Sequence, residues 1–162
     1  MVNNIFSNTV LSLGLGTLIC LSANAEGFTK GRIKLPFTPE VSISKAELSQ
    51  KSKTNLVVRF NIDSGSYLYK DSISVKVNPV SGIKIGSFTL PKAEKKLDIF
   101  TKTQKEIYPN SFSFSVPVEI TDKANSGKIS FSSVIGFQGC SKTVCFIPQE
   151  KSFTTTANIK KK

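Results

Sequence analysis

Apolar residues recur at every second position through much of the chain. In SFSFSVPVEI, Phe112, Phe114, Val116, Val118 and Ile120 share one face, and Ser111, Ser113, Ser115 and Glu119 take the other. Period two is the strand period, because successive side chains leave opposite sides of a sheet. NLVVRFNID repeats it with Leu56, Val58, Phe60 and Ile62, and SISVKV with Ile73, Val75 and Val77. GKISFSSVIGF (Ile129, Phe131, Ser133, Ile135, Phe137) and KSFTTTANI (Phe153, Thr155, Ala157, Ile159) follow the same rule. Turn signals separate these runs: Asp63-Ser64-Gly65, Asn78-Pro79, Ser81-Gly82, Pro109-Asn110 and Asn125-Ser126-Gly127. Short strands at this spacing predict an all-β sandwich.

Three stretches depart from the pattern. Pro117 interrupts a strand and lacks a backbone donor, so that strand is expected at a sheet edge or bulged. SKAELSQKSK (44–53) suits a helical turn or two, with Ala46 and Leu48 as its apolar face. PKAEKKLDIFTKTQKE (91–106) is polar and non-periodic apart from Leu97, Ile99 and Phe100, and reads as a long loop with an apolar tip. Loops of that length are often functional.

Residues 1–25 contain no Asp, Glu, Lys or Arg. Their apolar run from Val10 to Leu21 and the end Ala23-Asn24-Ala25 match a secretory signal peptide cleaved after Ala25. The run is too short for a membrane-spanning helix. Removing 25 residues from 162 leaves 137, one domain over 26–162 with a loose lead-in at 26–35. Cys20 leaves with the signal, so Cys140 and Cys145 remain as the only thiols, in a compartment where disulfides persist.

All 22 Lys+Arg and 11 Asp+Glu lie after residue 25, giving a net charge of +11. Lysine dominates, no aromatic residues interleave with a basic stripe, and export argues against a nucleic-acid partner. The charge reads as a solvated surface with a Lys-rich, disordered tail ending in Lys160-Lys161-Lys162. It also permits a weak contact with an anionic membrane surface, at about 1 kcal/mol per lysine.

The chain has no histidine, which removes Ser-His-Asp and Cys-His catalysis. Two cysteines cannot complete a structural zinc site, and no metal or cofactor site is expected. Asp98 and Glu106 are available carboxylates, but their spacing demands no acid–base role. The remaining chemistry is FQGCSKTVCFIP (137–148). A tight loop would bring Cys140 and Cys145 to disulfide distance. As a staple the bond is inefficient: closing about six residues contributes about 2 kcal/mol, against about 4.7 for a hundred-residue loop. A short exposed loop also leaves a disulfide open to a partner thiolate, and Lys142 would favour a thiolate modestly. Staple and exchange site both remain open on this reading.

Three blocks, in order behind the signal segment, carry a family resemblance: GSYLYKDSI (65–73), LDIFTKTQKEIY (97–108) and FQGCSKTVCFIP (137–148). Together they resemble the N-terminal periplasmic domain of the thiol:disulfide interchange protein DsbD, from about Pro36 to the C-terminal region. The resemblance implies an immunoglobulin-like β-sandwich with an added β-hairpin region carrying the cysteine pair. It implies a monomeric periplasmic component of protein-disulfide reduction, without a bound cofactor. Electrons would come from a membrane thiol–disulfide transporter and pass to periplasmic thioredoxin-fold oxidoreductases, including those of cytochrome c maturation. Cys145 would form the mixed disulfide and Cys140 resolve it. Phe100 would cap the pair, and Tyr67, Tyr69 and Asp98 would line the site.

Departures from the family pattern are Ile99 beside the cap Phe, Phe137 and Phe146 in place of tyrosines, and Ile147 before Pro148. The inter-cysteine loop is one residue shorter. With no membrane or thioredoxin-like domain before Lys162, a stand-alone version is expected. The competing expectation is a non-catalytic immunoglobulin-like adaptor with a structural disulfide.

Overall fold

The computed structural model describes residues 34–160. The expected signal segment, Cys20, most of the lead-in and Lys161-Lys162 lie outside the described residues.

The period-two runs all form strands. In chain order these are β1 (Phe37–Ile43), β2 (Glu47–Ser49), β3 (Lys53–Ile62), β4 (Tyr67–Tyr69), β5 (Ser74–Val77), β6 (Ile83–Ile85), β7 (Glu94–Leu97), β8 (Gln104–Tyr108), β9 (Phe112–Ile120), β10 (Gly127–Phe137), β11 (Gly139–Cys140) and β12 (Gln149–Lys160). One 3-10 turn, Lys70–Ser72, follows β4. Two sheets form the sandwich, in the orders β1-β3-β9-β6 and β2-β12-β10-β5. Their inward faces supply one core, with Leu56, Val58 and Phe60 from β3, Val116 and Val118 from β9, Phe131 and Ile135 from β10, and Ala157 and Ile159 from β12. A third sheet, β11-β4-β8-β7, is appended to the sandwich.

Three local expectations are corrected. Segment 44–53 forms no helix. It contains β2, which pairs in parallel with the end of β12, and Leu48 lies buried opposite Ile159. One short turn with a two-residue apolar face cannot repay helix nucleation, whereas an existing sheet edge offers backbone partners at once. The C-terminal stretch is correspondingly ordered through Lys160, opposite Ser49.

Residues 91–106 are not one long loop but contain β7 and the start of β8, paired antiparallel from Glu94↔Ile107 to Leu97↔Gln104. All four β7 residues are exposed, so the strand has no buried face to generate a hydrophobic period. Pro117 lies in an interior strand, between β3 and β6. Gly86 N donates to Pro117 O at 2.8 Å, so Pro117 turns its backbone toward the β6 side just past the end of β6. Its missing N–H faces the same way, so only the reciprocal bond to Gly86 is lost, where the β6 ladder ends, and the strand needs neither an edge position nor a bulge.

β4 joins the appended sheet to the sandwich. Its middle residue, Leu68, is fully buried in the main core with Tyr108, its partner across the ladder. Its flanking residues, Tyr67 and Tyr69, face away into a separate cluster with Ile107 and Cys140. Aromatic edges brace the junction. Phe37 meets Phe137 at 6.1 Å and Phe146 at 5.4 Å, both edge to face, and Phe137 meets Phe60 at 5.4 Å. The two phenylalanines that depart from the family pattern thus pack against the main core. Gly139 is required by close approach, because a Cβ there would collide with Tyr67 O and press on Leu68 and Phe37.

Thr54 Oγ1 and Ser133 Oγ are buried without hydrogen-bond partners among the described residues. A buried unsatisfied hydroxyl costs about 1–3 kcal/mol. Thr54→Val and Ser133→Ala are each expected to raise stability by about 1 kcal/mol, read as a higher urea midpoint at unchanged slope.

Candidate functional site

The cysteines close a tight hairpin. Cys140 and Cys145 form a disulfide with a Cα–Cα distance of 4.0 Å and pair as an antiparallel bridge. Ser141 N donates to Val144 O at 2.8 Å and Phe146 N to Gly139 O at 3.0 Å. Ser141 Oγ accepts from the backbone of Thr143 and Val144, a local turn that a serine after a strand end readily makes. Cys140 opposes Tyr67 in the ladder and is fully buried. Cys145 is half-buried and borders a cavity of about 450 Å³ that Tyr69 and Phe100 also line. The two sulfurs therefore differ in access: a thiolate arriving from solvent reaches Cys145.

Asp98 organises the facing side. It begins the turn between β7 and β8 and is 3% exposed. Its Oδ1 accepts from Tyr67 Oη at 3.0 Å and from Phe100 N at 3.2 Å. Its Oδ2 accepts from Tyr69 Oη at 2.7 Å, Thr101 Oγ1 at 2.8 Å and Thr101 N at 3.3 Å. Backbone bonds close the turn, from Asp98 N to Thr103 O and from Lys102 N to Asp98 O, each 2.9 Å, with Lys102 at φ 56°. Burial alone would raise the Asp98 carboxyl. Hydrogen bonds from Tyr69, Thr101, the Phe100 backbone and Tyr67 outweigh it and hold the group well below the usual carboxylate range. Burial, reinforced by Asp98, pushes the Tyr69 phenol well above its ordinary value, and burial likewise raises Tyr67. At neutral pH the site holds one anion and two neutral phenols.

Tyr69 connects this network to the redox pair. Its oxygen is 3.1 Å from Cys140 Sγ and 3.7 Å from Cys145 Sγ. A disulfide carries no S–H, so the phenol is the only hydrogen source in these contacts, and its one hydrogen is shared with Asp98. Lys142, expected to favour a thiolate, instead lays its stem over Gly65 and borders another cavity that neither cysteine lines.

All six expected residues thus meet at one place. Cys140, Cys145, Tyr67, Tyr69 and Asp98 are in direct contact or hydrogen-bonded sequence. Phe100 stands at the turn, 41% exposed, on the same cavity as Cys145. Glu106 lies outside the network, in an ion pair with Lys70 at 3.0 Å. Three contributors escaped the sequence reading. Thr101 donates to Asp98, and the spacing Asp98-x-x-Thr101 is a turn signature that could have revealed it. Ser72 Oγ donates to Tyr69 O at 2.7 Å and accepts from Gln138 N at 2.9 Å, and Gln138 Nε2 donates to Phe146 O at 3.0 Å. These two brace β4 against the cysteine hairpin, and no local pattern marks them.

An immunoglobulin-like sandwich with one sheltered and one more accessible sulfur at an appended sheet has a disulfide open to thiol–disulfide interchange. The family model for "Thiol:disulfide interchange protein DsbD, N-terminal" matches residues 34–157, and the chain belongs to that family, one of periplasmic domains. Among solved structures it is similar to the Neisseria meningitidis DsbD N-terminal domain in the reduced form. Identity is 24%, over 76% of this chain and 86% of that one, with a TM-score of 0.54. It is similar also to a structure of the complex between the DsbD N-terminal and PilB N-terminal domains of the same organism. There identity is 24%, over 76% and 87%, with a TM-score of 0.52. No curated protein matches the chain.

The sign of the Asp98 shift defines a pH test. Its folded pKa lies below the unfolded value of about 3.9, so its stabilisation is complete above that value and is lost as pH falls through the folded pKa. Asp98→Asn is expected to cost about 2 kcal/mol at pH 7, from poorly satisfied buried donors. The gap to wild type should narrow below about pH 4, as urea titrations across pH will show.

Proposed function

We propose that the chain is exported, cleaved after Ala25, and works as a periplasmic carrier of two electrons between thioredoxin-fold proteins and a membrane thiol–disulfide transporter. The observation that carries this reading is the asymmetry of the pair: Cys145 borders an open cavity while Cys140 is fully buried beside Tyr69 Oη.

A donor thiolate attacks Cys145 Sγ. The donor–Cys145 bond forms, the Cys140–Cys145 bond breaks, and Cys140 leaves as a thiolate that takes up a proton. Tyr69 Oη, held at hydrogen-bond distance, is positioned to donate to that sulfur as it develops charge. The donor's second thiolate then displaces Cys145, which is protonated in turn. The donor ends as a disulfide, and the pair has gained two electrons and two protons. Delivery reverses the roles: the Cys145 thiolate attacks an acceptor disulfide, and Cys140 resolves the mixed disulfide.

Phe100 acts as the cap. Its half-exposed ring at the mouth of the Cys145 cavity excludes small thiols and oxidants and shifts when a partner docks. Tyr67, Tyr69 and Asp98 keep the turn that carries it in register with the sulfurs. The complex reported for the related Neisseria domain with a PilB domain supports a protein partner at such a site. The adaptor reading is disfavoured because a loop of about six residues makes a weak staple, worth about 2 kcal/mol.

A Cys140→Ser variant is expected to accumulate a mixed disulfide through Cys145 with thioredoxin-fold proteins, seen by non-reducing electrophoresis and mass spectrometry. A Cys145→Ser variant should trap little. Equal trapping by both, or by neither, refutes the assigned roles. Phe100→Ala is expected to speed reduction of the pair by glutathione by about tenfold, or about 1.4 kcal/mol of lost shielding. Stopped-flow quenching of the pair's reduction measures it, and an unchanged rate removes the cap.

A further inference from the structure

Among the described residues, the exposed large hydrophobic side chains concentrate around the site. Of the large hydrophobic residues that stand exposed among the described residues, only Ile85 lies elsewhere. Leu97, Ile99 and Phe100 crown the β7–β8 turn, and Val144 and Ile147 flank Cys145. Between the two loops lies a second cavity of about 270 Å³, lined by no cysteine. Its apolar wall is Tyr67, Leu97, Ile99 and Pro109, and its charged residues are Lys96 and Lys142.

Both lysines are exposed, and each lies beside the cavity wall. Lys96 Nζ stands 5.6 Å from the centroid of the Tyr67 ring, and the Lys142 stem crosses Gly65. Nearby, Lys70 pairs with Glu106 and Lys105 with Asp71, whereas Lys95 and Lys102 have no ion pair among the described residues. Lys96 and Lys142 have none among the described residues, and no carboxylate lines the cavity. The nearest site anion, Asp98, is buried and saturated by five donors.

We infer that this cavity is a docking pocket for a carboxylate side chain of the partner, presented beside the partner's reactive cysteine. The apolar walls take the stem of a partner Glu or Asp, and Lys96 and Lys142 take its charge. Seated there, the partner places its sulfur toward the neighbouring cavity of Cys145. The pocket selects acidic-faced partners out of many thioredoxin-like surfaces, and the net charge of +11 draws them in. This rests on the exchange reading above, with the partner's chemistry added.

The probes are two dithiol peptides with the same Cys-Gly-Pro-Cys core, one flanked by glutamates and one by glutamines. The readout is the ratio of their rates in reducing Cys140–Cys145, with each peptide oxidised to its own disulfide. In the Lys96→Gln/Lys142→Gln double variant the Glu/Gln ratio is expected to fall by about threefold or more, and to fall similarly for wild type at high salt. Intrinsic differences between the peptides cancel in this comparison. A ratio unchanged by the double variant overturns the pocket. Serine-for-cysteine versions of the peptides give a readout independent of exchange. The Glu version should shift the amide resonances of Lys96, Leu97, Ile99 and Lys142, and the Gln version should not; absence of that difference also overturns the pocket. Reduction by dithiothreitol reports on the exchange reading alone: a pair inert to it sinks that reading, whatever the peptides show.

Discussion

A single buried carboxylate holds the working end of this domain together. Asp98 is stable as an anion at 3% exposure because five donors converge on it, two of them the phenols of β4. Through Tyr67 and Tyr69 it ties the β7–β8 turn to β4, and through Tyr69 it reaches the sulfurs. The turn bearing Phe100 has no apolar anchor of its own, since β7 is exposed throughout. Its position beside β4 follows from hydrogen bonding to one charge.

That arrangement suits a bond that must open and close. The disulfide contributes little to stability, because its loop is short. The appended sheet is held instead by Leu68 and Tyr108 in the main core, by the Phe37, Phe137 and Phe146 contacts, and by the Ser72–Gln138 brace. None of these needs the sulfurs bonded. The scaffold can therefore keep its geometry in both redox states, while Cys145 remains open on one side and Cys140 stays covered.

Two cavities border the site, each with its own lining. Phe100 borders the cavity of Cys145, and Lys96 and Lys142 border its neighbour. Two lysines of the Lys-rich surface, Lys96 and Lys142, sit against the apolar wall made by Tyr67, Leu97, Ile99 and Pro109.

The sandwich strands were legible because a strand with one buried face writes that burial as period two, as in β3, β9, β10 and β12. β7 and β2 were not, since one has no buried face and the other buries only Leu48. Pro117 misled for a related reason: a sequence shows that a donor is missing but not which neighbour it would have faced. At the site, elimination left Cys140 and Cys145, and the resemblance supplied Tyr67, Tyr69, Asp98 and Phe100. Thr101, Ser72 and Gln138 act through single hydrogen bonds to distant partners, and such bonds leave no periodic trace. The sequence by itself determined the all-β class and the chemistry available, since both depend on residue type and local spacing. Only the tertiary structure decided which cysteine borders a cavity, that Asp98 is a buried anion, and that two lysines flank an apolar cavity, because burial and charge pairing depend on segments that the chain keeps far apart.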